Sequence, residues 1–222
     1  MMSLPATRDE LRERWQNGER FTFLFFYGHK PPNNGVDDSC FSQWFSRTFV
    51  VDGTEYPTAE HWMMAEKARL FQDDEMLSVI LAAESPKEAK SFGRKVRDFD
   101  PEIWNKNKFE IVRRGNFEKF TQHEDLRSYL LATSNFQPTS DIPGITDGQA
   151  LREKPLAYKT AKSKSTGVIL VEAAGRDVIW GIGLGKNNPK AQDPVTWRGR
   201  NLLGFALTIV REQIATHTNN DG

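Results

Sequence analysis

Cysteine, net charge and long apolar runs are what this 222-residue chain has least of. Its one thiol, Cys40, cannot form an internal disulfide, which excludes a disulfide-stapled scaffold. With an opening segment that is polar rather than apolar, a cytoplasmic location is expected. Lys plus Arg and Asp plus Glu number 30 each. The chain as a whole therefore has no pull toward phosphate backbones, and general nucleic-acid binding is not expected, although a local basic pocket for one or two phosphates is compatible with this balance. No apolar stretch approaches the ~20 residues needed to cross a bilayer, so no membrane association is expected. The four histidines, His29, His61, His123 and His217, never fall within five residues of one another. Metal-ligand spacing is thus missing, and no metal is expected. There is no G-x-S-x-G elbow, and Cys40 reads as a loop residue without a neighbouring base.

Aromatic residues are plentiful, with six Trp and fifteen Phe. Most serve core packing, but some have the shape to stack on a planar ligand. Residues 7–17 read as an amphipathic helix that caps the fold, through Leu11 and Trp15. Aromatic-rich Phe21 to Tyr27 reads as a buried strand, and Phe49 to Asp52 as a second one turning at Asp52-Gly53. Helices are expected from Thr58 to about Leu70, from Asp74 to Ala83, and from Ser85-Pro86 to about Lys95. A long helix should start at Pro101 and break near Gln122, with another over 124–133. Residues 134–167 are rich in Pro and Gly and read as a long connection or insertion. Short strands are expected at Val168 to Val171 and Val178 to Trp180. The glycines of G-I-G-L-G, from Gly181, suit a turn or a ligand-hugging loop rather than a dinucleotide fingerprint. A final helix should cover about Leu202 to Ile214, and 216–222 reads as a disordered tail.

The helix after Pro57-Thr58 carries the most suggestive chemistry. Glu60 and Lys67 are seven residues apart, on one face and separated by ~10 Å along the axis. Met63 and Met64 between them offer an adaptable apolar patch flanked by a carboxylate and an ammonium. A solvated charge run is the commoner meaning of such a pattern.

Five segments taken in order bear on that choice. They are Y-P-T-A-E-H-W-M-M-A-E-K-A (Tyr56 to Ala68), F-G-R with a later I-W (Phe92 to Trp104), K-F-T-Q-H-E-D-L-R-S-Y-L-L-A-T (Lys119 to Thr133), D-V-I-W-G-I-G (Asp177 to Gly183) and W-R-G-R-N-L-L-G (Trp197 to Gly204). Together they resemble the NADAR domain family of YbiA-like N-glycosidases over residues 21–215, with 1–20 as an N-terminal capping helix. The resemblance implies a single compact, helix-rich α+β domain with a small number of short strands. It implies cleavage of N-glycosidic bonds without metal or redox cofactor. The substrates it implies are ribosylated amines: phosphorylated ribosylaminopyrimidine intermediates of riboflavin synthesis, or ADP-ribosylated guanine. A module that binds ADP-ribose without cleaving it is the competing reading. The matching positions are Glu60, Lys67, Trp104, Asp177, Trp180 and Asn201, and Gly181 falls within the same motif. In one mechanism Lys67 attacks ribose C1′ and forms a Schiff base while Glu60 moves protons. In the other, Glu60 stabilises an oxocarbenium-like sugar and Lys67 binds phosphate. Trp104 or Trp180 would stack on the base, and Asp177 would orient a hydroxyl or water. Arg94, Arg113, Arg114 and Arg200 are candidates for phosphate contacts.

Overall fold

A computed structural model describes residues 3–136 and 165–220; most of the expected insertion at 134–167 lies outside the described residues. Seven helices and four short strands follow in the order α1 (Arg8–Gln16), β1 (Thr22–Phe26), β2 (Phe49–Val51), β3 (Thr54–Tyr56), α2 (Ala59–Leu70), α3 (Asp74–Leu81), α4 (Pro86–Gly93), α5 (Pro101–Thr121), α6 (Glu124–Ala132), β4 (Val168–Glu172) and α7 (Leu202–Asn220). The protein is a helix-rich α+β domain. Among the described residues no helix is long and apolar enough to cross a membrane.

α2 is the central helix. Thr58 caps it, accepting from the His61 N–H, and the run Ala59 to Ala65 is buried throughout. A helix that is buried on all sides belongs to the core, and α3, α4 and α5 pack around it. Met63 and Met64 are accordingly core residues rather than a ligand-facing patch. α4 seats so closely that a Cβ on Gly93 would come within 2.1 Å of the Met64 sulfur. Asp52 and Gly53 both have positive φ, 49° and 76°, and close a two-residue hairpin between β2 and β3.

β1 and β4 form a parallel pair, Thr22 opposite Val168 through Phe26 opposite Glu172. Both are nearly continuous apolar runs, as strands covered on both faces are. The other edge of β4 faces α7, and side chains of α7 and of Asn201 just before it satisfy that edge. Arg211 donates to the Val168 carbonyl at 2.7 Å, the Thr208 hydroxyl accepts from Leu170 N–H at 3.1 Å, and Asn201 both donates to the Leu170 carbonyl and accepts from Glu172 N–H, each at 3.0 Å. One helix face thus stands in for a third strand, which removes the unpaired edge. Gly204 permits the approach, because a Cβ there would lie 2.1 Å from the Leu170 carbonyl oxygen.

Three local expectations need correction. Val178 to Trp180 is a turn, not a strand: the Asp177 carboxylate accepts the Ile179 and Trp180 amides, both at 2.8 Å, and these local bonds replace ladder bonds. Cys40 sits in a 3₁₀ turn, Asp38–Phe41, fully buried in the main core. The helix at the end of the chain continues to Asn220, where a disordered tail from Thr216 was expected.

Candidate active site

Glu60 occupies the first turn of α2, where the aligned peptide dipoles favour a carboxylate. Its own amide donates to the Gln43 carbonyl at 2.9 Å, which anchors the segment carrying Trp44 over the helix start. Glu60 is 2 % exposed, and its Oε1 is buried without a hydrogen bond. The Lys90 ammonium of α4 lies 3.8 Å from that oxygen and over the Trp44 ring. Burial pushes the Glu60 pKa up, Lys90 and the Trp44 side chain oppose the shift, and Asp177 adds to it.

A second carboxylate, on a partly buried residue, ends β4. Glu172 projects from the last position of an apolar strand, at the C-terminal edge of the parallel pair, and its Oε2 has no hydrogen-bond partner. Burial, then the charges of Asp177 and Glu60, raise its pKa to about 8 against the opposing influence of Lys90. The backbone holds it on several sides. Its N–H donates to Asn201, and its carbonyl accepts from Ile182 N–H at 3.0 Å after the chain has looped out through 173–181 and returned. Gly181 closes this loop, since a Cβ there would stand 2.8 Å from the Glu172 carbonyl oxygen.

Lys90 and Asp177, whose charges act on both acids, line a cavity of about 1010 Å³ together with Tyr27, Trp180, Arg176, Lys186 and others, while the two acids themselves are not among its lining residues. Tyr27 directly follows β1 and Ala173 directly follows β4. The cavity therefore sits at the carboxyl ends of the parallel strands, where sites in such sheets commonly lie. From α5 a buried lysine, Lys108, donates to Asn105 at 2.5 Å; burial and then nearby Arg200 lower its pKa, and Asp177 counters them. Asp177 is thereby a hinge of charge between the two acids and Lys108.

The residues expected from sequence divide into two groups. Glu60, Asp177 and Trp180 belong to this cluster, with exposed Arg94 and Arg200 acting on it through charge. Lys67 turns elsewhere: its ammonium donates to the Gly93 carbonyl at 2.7 Å and lies 4.0 Å from the centre of the Phe99 ring and 5.8 Å from that of Trp104. Burial alone lowers its pKa. The ammonium beside Glu60 is that of Lys90. Asn201 is fully buried with both amide atoms bound to β4, so it positions the site from behind. Arg113 pairs with Glu110 and Gln213, and Arg114 with Asp52, outside the residues that line the cavity. Lys90, Glu172 and Lys108 went unnoticed in the sequence. Only Glu172 carries a signal there, as the acid that ends the apolar run V-I-L-V. Among the described residues no three His, Cys, Asp or Glu side chains converge as a metal-ligand set.

A buried carboxylate, a partly buried one and two lysines next to a nucleotide-sized cavity make an enzyme-like site suited to proton transfer and charge stabilisation. Residues 25–137 and 158–215 match the NADAR domain family, and the chain belongs to that family. An N-glycosidase of Acanthamoeba polyphaga mimivirus is 36% identical over 196 residues, spanning 86% of this chain and 95% of the relative. N-glycosidase YbiA of Escherichia coli is 28% identical over 203 residues, 91% of this chain and 95% of the relative. The NMR structure of E. coli YbiA superposes with a TM-score of 0.61 at 26% identity, covering 97% of this chain and 95% of that one.

Proposed function

We propose that this protein hydrolyses the N-glycosidic bond between ribose C1′ and an exocyclic amine of a base, in a phosphorylated ribosylaminopyrimidine. The coarser statement, a hydrolase acting on N-glycosyl compounds, follows from the family and from relatives named N-glycosidases over nearly their whole length. The observation that carries the finer reading is the buried Glu60 carboxylate, whose Oε1 lacks a hydrogen bond and lies 3.8 Å from Lys90, a residue lining a cavity with an aromatic rim. Such a carboxylate is suited to facing positive charge that builds on a sugar. Trp180 and Tyr27 supply flat surfaces for a base, and Arg176 and Lys186 supply cations for a phosphate. Asp177 keeps one carboxylate oxygen, Oδ1, in its turn and leaves the other to orient a ribose hydroxyl or water.

A cavity of about 1010 Å³ is larger than a single ribosylaminopyrimidine phosphate fills, and that supports ADP-ribosylated guanosine as a second substrate class. Incubation with each compound, followed by chromatography of the freed base or guanosine, tests the reading. Release of the pyrimidine from the first supports the proposal, and release from the second alone supports the alternative. Release from neither, with measurable ADP-ribose binding, would leave a binding module. Borohydride added during turnover addresses Lys67, whose lowered pKa and lack of a carboxylate partner within 4.0 Å among the described residues suit a nucleophile. A sugar adduct mapped to Lys67 supports a Schiff base. An adduct on Lys90 would move that role, and no adduct supports the route in which Glu60 acts without a covalent step.

A further inference from the structure

The buried Lys119, the cavity cations Arg176 and Lys186, and Glu172 lie outside the expected site residues. Lys119 donates to the carbonyls of Cys40 and Ser42 and is fully engaged in holding that turn. Arg176 and Lys186 belong to the phosphate reading above. Glu172 has no structural task for its carboxylate, and its surroundings are those of a working acid.

We propose that Glu172 is the general acid of this site, entering the reaction protonated and delivering its proton to the leaving amine as the C1′–N bond breaks. The assignment rests on the N-glycosidase reading. In the step, the electron pair of the C1′–N bond passes to nitrogen, which takes the Glu172 proton. Ionised Glu60, held beside Lys90, faces the positive charge left on the sugar. Water then bonds to C1′ and gives its extra proton to the Glu172 carboxylate, so the products are the free amine and the sugar hydroxyl, and the enzyme is restored.

The geometry supports a division of labour between the two acids. Glu60 has the start of a helix, Lys90 at 3.8 Å and the Trp44 side chain to stabilise its ionised form. Glu172 has none of these within hydrogen-bond reach: its Oε2 is buried and unpartnered, and its backbone is locked by Asn201 and Ile182. The charged groups that face it are Asp177 from the loop after β4, Lys90 from α4 and Glu60 from α2. Its neighbour on β1 is Phe26, and Asn201, just before α7, accepts its N–H. Two of the three charges are negative, and each favours a neutral Glu172. Pairs of acids whose surroundings push their proton affinities apart are the usual arrangement for glycoside cleavage. Glu172 follows directly on Val171, and the next two residues, Ala173 and Ala174, line the cavity, which sets Glu172 next to its wall along the chain.

The test measures kcat and KM against pH for release of base from a ribosylaminopyrimidine phosphate. Wild-type kcat/KM is expected to fall as pH rises through about 8, where Glu172 loses its proton. Glu172→Gln should lower kcat by about 100-fold or more with KM changed only a few-fold, and should lose that alkaline limb. Glu172→Asp, which keeps an acid one methylene shorter, should recover part of the rate and restore a limb. A Glu172→Gln enzyme that keeps the wild-type rate or the same limb overturns the assignment while leaving the N-glycosidase reading standing. Wild-type protein that releases no base from any ribosylated amine overturns both. Should Glu172→Gln fail to fold, Glu172→Asp decides alone, and an unchanged rate and limb in that variant count against the proposal.

Discussion

Glu60 shows how one side chain is made reactive by what is withheld from it. Its Oε1 has a cation at 3.8 Å but no hydrogen bond, so its charge is only partly compensated. Glu60→Gln preserves shape and removes the charge. It is expected to keep the wild-type circular dichroism spectrum and lose base release by about 100-fold or more, measured by chromatography. Cys40 is the opposite case. Its thiol is fully buried, and burial pushes its pKa up to about 12 although Lys119 pulls the other way. Native protein should therefore resist thiol reagents that label it at once in urea, and rapid native labelling would show that the Asp38–Phe41 turn opens.

Elements in this protein hold one another through backbone groups that a regular sheet would pair. Among the described residues β4 has a partner strand on one side only, and Asn201, just before α7, with Thr208 and Arg211 of α7 serves the other. Because the same interaction holds Glu172 N–H and sets the start of the site loop, stability and activity are linked here. Thr208→Val keeps the side-chain volume but leaves the buried Leu170 N–H without an acceptor. A loss of about 1–3 kcal/mol in urea unfolding is expected, with KM nearly unchanged because Thr208 is a helix turn or more beyond Asn201. α1 plays a comparable part in a second cluster of buried side chains: Arg12 donates to the carbonyls of Pro194, Val195 and Trp197, and Leu11 packs with Phe23, Ile169 and Trp197.

At the scale of the molecule, buried acids set how stability depends on pH. Glu172 binds its proton up to about 8 when folded but only to 4.5 when unfolded, so the folded state holds more protons between those values. Stability must then fall as pH rises through that window. Asp38 acts the same way between 3.8 and about 6, raised first by burial and then by Asp37. The wild-type melting temperature should decline from about pH 4 to pH 8. In Glu172→Gln the decline between pH 6 and 8 should be shallower, so that the variant melts above wild type at pH 8 and the gap closes toward pH 5. Parallel melting curves at all pH values would mean that Glu172 titrates alike in folded and unfolded chains.

Much of this architecture is written in local sequence. Thr58, Ser85-Pro86 and Asp100-Pro101 start helices where caps and proline dictate, and Asp52-Gly53 turns a hairpin because both positions need positive φ. The fold class and the place of Glu60, Asp177 and Trp180 were legible from motifs in order. Tertiary structure alone decided that α2 is buried on every side, which makes Met63 and Met64 core and takes Lys67 to the Gly93 carbonyl. It also brought Lys90 to Glu60 from thirty positions away, and it turned Asn201 from a plausible ligand contact into a surrogate strand bond. The physical reason is range. Caps and turns are interactions between residues a few positions apart, whereas a carboxylate's desolvation and the charges around it depend on which distant segments close over it, as they do over Glu172.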